Sequence, residues 1–116
     1  MEQLCMNFGK YPFDTLDIVK YDNGDVSFIG TKENGLRYYG NIDWYCVQEQ
    51  LIQGMCNYLC NFYVHHAWVD ISDERDMLIG YTNKSCFDIM FKKDSVTEFG
   101  FSLSVEQVRE LLKFLL

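Results

Sequence analysis

The apolar residues of this chain change their period repeatedly, and no other feature narrows its fold so far. From Thr15 to Tyr21 they alternate, with Leu16, Ile18 and Lys20 on one side and Asp17, Val19 and Tyr21 on the other. That is the two-residue period of a half-buried strand. Asp22-Asn23-Gly24 follows, where Gly24 or Asn23 can take a positive φ at little cost. A second strand is expected over Asp25 to Lys32. Asn34-Gly35 is then a strong hairpin turn, returning the chain as a third strand from Leu36 to Tyr39. Pro12, with Phe13-Asp14-Thr15, reads as a lead-in loop.

The period then lengthens. Trp44, Val47, Leu51, Ile52, Met55, Tyr58, Leu59 and Phe62 recur at spacings of three and four, the stripe of an amphipathic helix. The spacing predicts a helix over about 43–62 with Asn41 or Asp43 as its N-cap. Gly54 inside it costs about 1 kcal/mol of helix propensity. Strand chemistry returns from Tyr63 to Ile71, with continuation of the helix through His65 or His66 as the alternative, followed by a charged loop over Ser72 to Asp76. Met77 to Thr82 and Ser85 to Lys92 form a hairpin around Asn83-Lys84, and Val96 to Leu103 adds a further strand. Phe87, Ile89 and Phe91 share one face, as do Phe99, Phe101 and Leu103. Ser104 with Gln107 makes a capping box, and Val105, Val108, Leu111, Leu112 and Leu115 form the last helical stripe.

The expected order is therefore βββ-α-ββββ-α, with no internal repeat visible. The expected fold is α+β: a single domain over residues 1–116, built on a largely antiparallel sheet with a long central helix and a C-terminal helix packed on it. A chain of 116 residues with 48% hydrophobic content buries a core without help from disulfides or metal. No run reaches the roughly 18 apolar residues of a membrane span. The N-terminus has no basic region followed by an apolar stretch, and five irregularly spaced cysteines suit reduced thiols, so a cytoplasmic protein is expected.

The chemistry-bearing residues point away from catalysis. Cys56-x3-Cys60 before His65-His66 has the flavour of a zinc site, but adjacent histidines in a strand aim at opposite faces and no second ligand pair follows. Cys46 lies near a helix start, yet no Lys or Arg neighbours it and Asp43 would raise its pKa. His65 or His66 with Asp70 would make a base and its orienting group. Asp22-Asn23-Gly24-Asp25 lacks the acidic spacing of a calcium loop, and neither a phosphate-cradling glycine loop nor a serine elbow is present. The expectation is a protein with no catalytic residues, no metal and no cofactor.

Two features remain. Net charge is −7, and direct nucleic-acid binding is disfavoured by so negative a field. Between Arg37 and Arg75 lie 37 residues with five acids and no Lys or Arg. Asp43, Glu49, Asp70, Asp73 and Glu74 fall there, and Asp76 extends the cluster; these six are the candidate partner-binding acids. The second feature is the helix face opposite the apolar stripe. Gln50, Gln53, Asn57 and Asn61 fall together there, with Cys46 and Cys60 interspersed. A solvated face normally carries Lys, Glu and Arg, whereas interface centres lose them, so this face is read as a contact surface. If Tyr63, His65, Ala67, Val69 and Ile71 face the core, Trp68 and His66 point outward and Trp68 adds an aromatic contact.

Together these features suggest a non-enzymatic interaction module for a protein with a basic surface. Basic surfaces commonly serve nucleic acid, so the sharper form is an inhibitor that presents carboxylates where phosphates would sit. In size, charge and aromatic content the chain resembles small acidic inhibitors from phages and mobile elements, such as anti-CRISPR proteins. The alternative is a small-ligand-binding oligomer with a pocket between sheet and helix. The long helix could support a two-fold homodimer under either reading.

Overall fold

The computed structural model describes residues 1–43, 45–60, 66–81 and 84–116. Within them the chain forms two sheets where the sequence suggests one. Strands β1 (Glu2–Asn7), β2 (Thr15–Lys20), β3 (Val26–Thr31) and β4 (Arg37–Ile42) pair in chain order as an antiparallel meander. Helix α1 (Tyr45–Leu59) follows, and β5 (Ala67–Asp70), β6 (Arg75–Gly80), β7 (Phe87–Lys93) and β8 (Val96–Leu103) form a second antiparallel meander. Helix α2 (Val105–Leu115) closes the chain. The element order ββββα thus occurs twice, a repetition of architecture that residue identities do not carry.

Three expectations need correction. Residues 2–7 form a strand, with Leu4 opposite Ile18 and Met6 opposite Leu16. The third expected strand runs on to Ile42, so Asn41 is a sheet residue and not a helix cap; its Oδ1 accepts a hydrogen bond from Ser27 Oγ at 2.6 Å. The long central helix is 15 residues, Tyr45–Leu59, with Cys60 N–H still donating to the Cys56 carbonyl at 3.0 Å. Trp44 and Phe62 of the apolar stripe, Asn61 of the opposite face, Tyr63 and His65 of the next strand and Asn83 of the hairpin turn lie outside the described residues.

Turn chemistry places the first hairpins. Gly24 at φ +94° and Gly35 at φ +88° occupy the left-handed region at the β2–β3 and β3–β4 turns, where a side chain would be strained. The capping box of α2 forms as its sequence implies. Gln107 N–H donates to Ser104 Oγ at 3.2 Å, and Ser104 N–H donates to Gln107 Oε1 at 2.9 Å.

The inner faces of the two sheets and the buried stripes of both helices share one core. Aromatic rings join the sheets. Phe28 of β3 lies 5.7 Å from Phe91 and 5.8 Å from Phe101, centroid to centroid. Phe13, just before β2, lies 5.5 Å from Phe99 and 6.1 Å from Phe101. Helix α1 packs against β6, β5, β4 and α2. Leu51 and Met55 are fully buried, the Gly54 backbone rests on Ile79, and Tyr58 stands 5.5 Å from Phe87. The Tyr58 hydroxyl donates to the Lys84 carbonyl at 3.0 Å, while Gln48 Nε2 donates to the Gly24 carbonyl at 2.7 Å. These bonds fasten opposite ends of α1 to a loop of each sheet. Among the described residues, Met55 and Tyr58 of α1 and Met77, Ile79 and Phe87 of the second sheet are buried.

Candidate functional site: the outer face of the second sheet

Alternation along β5 to β8 decides what this face presents. Val69, Met77, Ile79, Phe87, Ile89, Phe99 and Phe101 turn inward and are buried. Trp68, Asp70, Asp76, Leu78, Asp88, Met90 and Lys92 therefore turn outward. Register arranges them in rows across the strands. One row is apolar: Trp68 faces Leu78, Leu78 faces Met90, and Met90 faces Gly100. Trp68 is 55% exposed, as expected for an outward residue. The neighbouring row is charged, with Asp70 opposite Asp76 and Asp76 opposite Lys92.

Asp70 and Asp76 are thus like charges placed directly across from each other, an arrangement that disfavours a sheet pair. Among the described residues neither forms an ion pair; the ion pairs there are Met1 amino to Asp22 at 2.6 Å and His66 to Asp88 at 3.4 Å. Lys92, which register brings beside Asp76, instead holds its Nζ 5.1 Å from the centroid of the Trp68 ring. Partial burial, together with a hydrogen bond to Asp70 and the Asp70 charge, raises the Asp76 pKa above its ordinary 3.8.

That shift carries a stability prediction. A carboxyl whose folded pKa is raised binds its proton more tightly in the folded state, so stability falls as pH climbs from below 3.8 through the raised value. Asp76→Asn should therefore stabilise the protein at pH 7, and the gain should vanish below about pH 3.8. Thermal melts of both proteins across that range check it; an equal offset at every pH would contradict it.

Asp73 and Glu74 sit exposed in the turn that joins β5 to β6. Ile71 and Ser72 N–H donate to the Arg75 carbonyl at 2.9 and 3.0 Å, and Arg75 N–H donates to Ser72 Oγ at 3.2 Å. Asp94 N–H donates to the Glu74 carbonyl at 2.9 Å. The turn is held by backbone groups and the Ser72 hydroxyl, and its carboxylates are left to solvent. Bases are nearby too, since Arg75 faces Lys93 across the same hairpin.

The six candidate acids do not form one site. Asp70, Asp73, Glu74 and Asp76 come together at the β5–β6 hairpin, whereas Asp43 precedes α1 and Glu49 lies on its exposed side. Glu49 shares a surface groove with Tyr45, Cys46, Gln50, Ile52, Gln53 and Leu116. Of the uncharged helix face, Gln50 and Gln53 are exposed, Asn57 is half-buried, and Gln53 Nε2 donates to Asn57 Oδ1 at 3.1 Å; Asn61 lies outside the described residues. Ala67, expected inward, is exposed because it opens the short edge strand β5.

No protein-family model, no curated protein and no solved structure matches this chain. Its own geometry carries the functional reading.

The histidine pairing differs from expectation. His66 Nε2 lies 3.4 Å from Asp88 Oδ2, not beside Asp70, because register places Asp70 on Asp76. Asp88 Oδ1 also accepts from Ser102 Oγ at 2.5 Å and lies 3.9 Å from Cys86 Sγ. Here the carboxylate stands between imidazole and hydroxyl. A nucleophile is activated when the imidazole lies between the other two, so this set does not make Ser102 a nucleophile. Neither Asp88 nor the Leu78–Met90 row was singled out from the sequence. Their signal is the outward half of the β6 and β7 alternation, which only cross-strand register converts into neighbours.

Proposed function

We propose that this protein is a non-enzymatic interaction module whose second sheet offers its outer face to a protein with a basic surface. Asp70, Asp73, Glu74 and Asp76 meet Lys and Arg side chains of the partner. Trp68, at the end of a row that continues through Leu78 and Met90, supplies the apolar anchor that such contacts need beside their charges. The observation that supports this reading is the Asp70–Asp76 pair, two opposed carboxylates that form no ion pair among the described residues while the adjacent Lys92 is engaged with Trp68. Opposed like charges cost stability in the free protein, and a basic partner relieves the cost on binding.

In its sharper form the partner surface is one that serves nucleic acid, and the carboxylates occupy phosphate positions, which makes the chain an inhibitor. Among the described residues, the buried side chains of Met55 and Tyr58 meet the second sheet where the small-ligand reading would put a pocket, and no specific observation favours that reading.

Wild type and a variant with all four acids changed to Lys serve as bait against one lysate. Wild type is expected to retain a basic protein that elutes with rising salt and is displaced by added duplex nucleic acid. The variant is expected to retain at least ~10-fold less of it. Equal retention by both baits at low salt would overturn the reading, and salt elution without displacement by nucleic acid would overturn its inhibitor form.

A further inference from the structure

The exposed face of α1 has a chemistry of its own, independent of the acidic face. Cys46, Gln50, Gln53, Asn57 and Cys60 follow one another at spacings of four, three, four and three. At about 100° per residue they fall within a band roughly 80° wide, the seam along which two helices pack. Cys46, Gln50, Gln53 and Cys60 are exposed and Asn57 is half-buried. By residue type the band reads thiol, amide, amide, amide, thiol, the same in either direction. Tyr45, 75% exposed, and Leu116, 79% exposed, border it with Ile52 and add apolar rim.

We infer that this face pairs with a second copy of itself, the two α1 helices running antiparallel about an axis near Gln53. Such a pair sets amides against amides, each able to donate and accept, and brings Cys46 of one copy beside Cys60 of the other. Charge bears on the choice of partner. A chain of net charge −7 repels its copy over most of its surface, and this band carries no charge at all. Glu49 flanks it. The antiparallel pair keeps the two Glu49 carboxylates about 12 Å apart along the helices, given a rise of ~1.5 Å per residue, which exceeds the ~8 Å screening length of physiological salt. Helix α1 also has no acid in its first turn and no base in its last, so an antiparallel neighbour supplies the opposite dipole ends that its own side chains do not.

A single helix pair buries less than the ~1,200 Å² of a standard interface, so the association is weak, of the order of 10–100 µM. Sedimentation equilibrium up to several times that range is expected to show a reversible step from 13.7 kDa to twice that mass. Gln53→Glu, which sets two carboxylates at the axis, is expected to weaken dimerisation at least ~10-fold. Mixing Gln53→Glu with Gln53→Lys should restore it. A short bismaleimide reports the direction. Wild type crosslinks to a dimer, and Cys46→Ser and Cys60→Ser should each abolish the product, since antiparallel pairing uses one thiol of each kind. Cys5→Ser should not change it, because Cys5 lies on the first sheet, with its thiol pKa raised by a hydrogen bond to Asp17, by burial and by the Asp17 charge. A monomer at every concentration would overturn the inference. So would crosslinking that survives in both single-serine variants, which would show like thiols facing each other.

Discussion

Replacing Phe28 with alanine should cost about 3–5 kcal/mol, the range for deleting a buried aromatic ring. Phe28 is fully buried on β3, and its ring meets both Phe91 of β7 and Phe101 of β8. It is therefore a bond between the two meanders and not a part of either. Those rings are themselves held, with Phe91 stacked 5.8 Å from Phe99 and Phe99 5.2 Å from Phe101. Such a cluster closes poorly over a void, which puts the cost at the upper end of the range. Urea unfolding should show a lower midpoint with an unchanged slope, because the protein still unfolds as one unit. Two separate transitions would mean instead that the sheets are independent folding units.

The second large effect comes from adding one methyl group. A Cβ on Gly40 would lie 2.5 Å from Phe91 Cδ2 and Cε2. Carbon atoms do not approach so closely, so either the Phe91 ring or strand β4 must move. Phe91 is wedged between Phe28 and Phe99, so the strain falls on the contact between sheets, and Gly40→Ala should cost about 1–3 kcal/mol. Gly54→Ala is the informative contrast. Its Cβ would meet Ile79 Cδ1 at 2.8 Å, the free end of a flexible side chain, and alanine gains about 1 kcal/mol of helix propensity. That variant should be close to neutral. Phe91→Leu in the Gly40→Ala background should recover part of the loss, and a double-mutant cycle would measure the coupling. If Gly40→Ala and Gly54→Ala cost the same, the tight fit of β4 on Phe91 is not what holds the sheets together.

Much of the local structure was legible because its causes are local. Gly24 and Gly35 turn where a positive φ is needed, Ser104 and Gln107 cap α2, and Phe99, Phe101 and Leu103 of β8 all face inward. Trp68 was legible as an outward residue because its neighbour Val69 needed burial. Division into two sheets was not legible. Alternation tells that Phe28 and Phe91 are each buried, but nothing in a two-residue period tells whether they share a sheet or face each other across a core. Strand β1 escaped notice because on this edge strand only Met6 is fully buried and Leu4 half-buried. The site was half legible for the same reason. Counting charges along the chain found Asp70 and Asp76 but joined them to Asp43 and Glu49, which the fold keeps on another element. The link between Lys92 and Trp68 exists only once β6 lies between β5 and β7.

A footprint of the bound partner on this face is the most direct test of the account. Amide and indole correlation spectra of the labelled protein would be recorded while the basic protein retained by the wild-type bait is added. The largest changes are expected on the Trp68 indole N–H and on amides of residues 67–78, and they should fade as salt is raised. Changes confined to the outer face of the first sheet or to α1, with Trp68 and the β5–β6 hairpin unmoved, would contradict it.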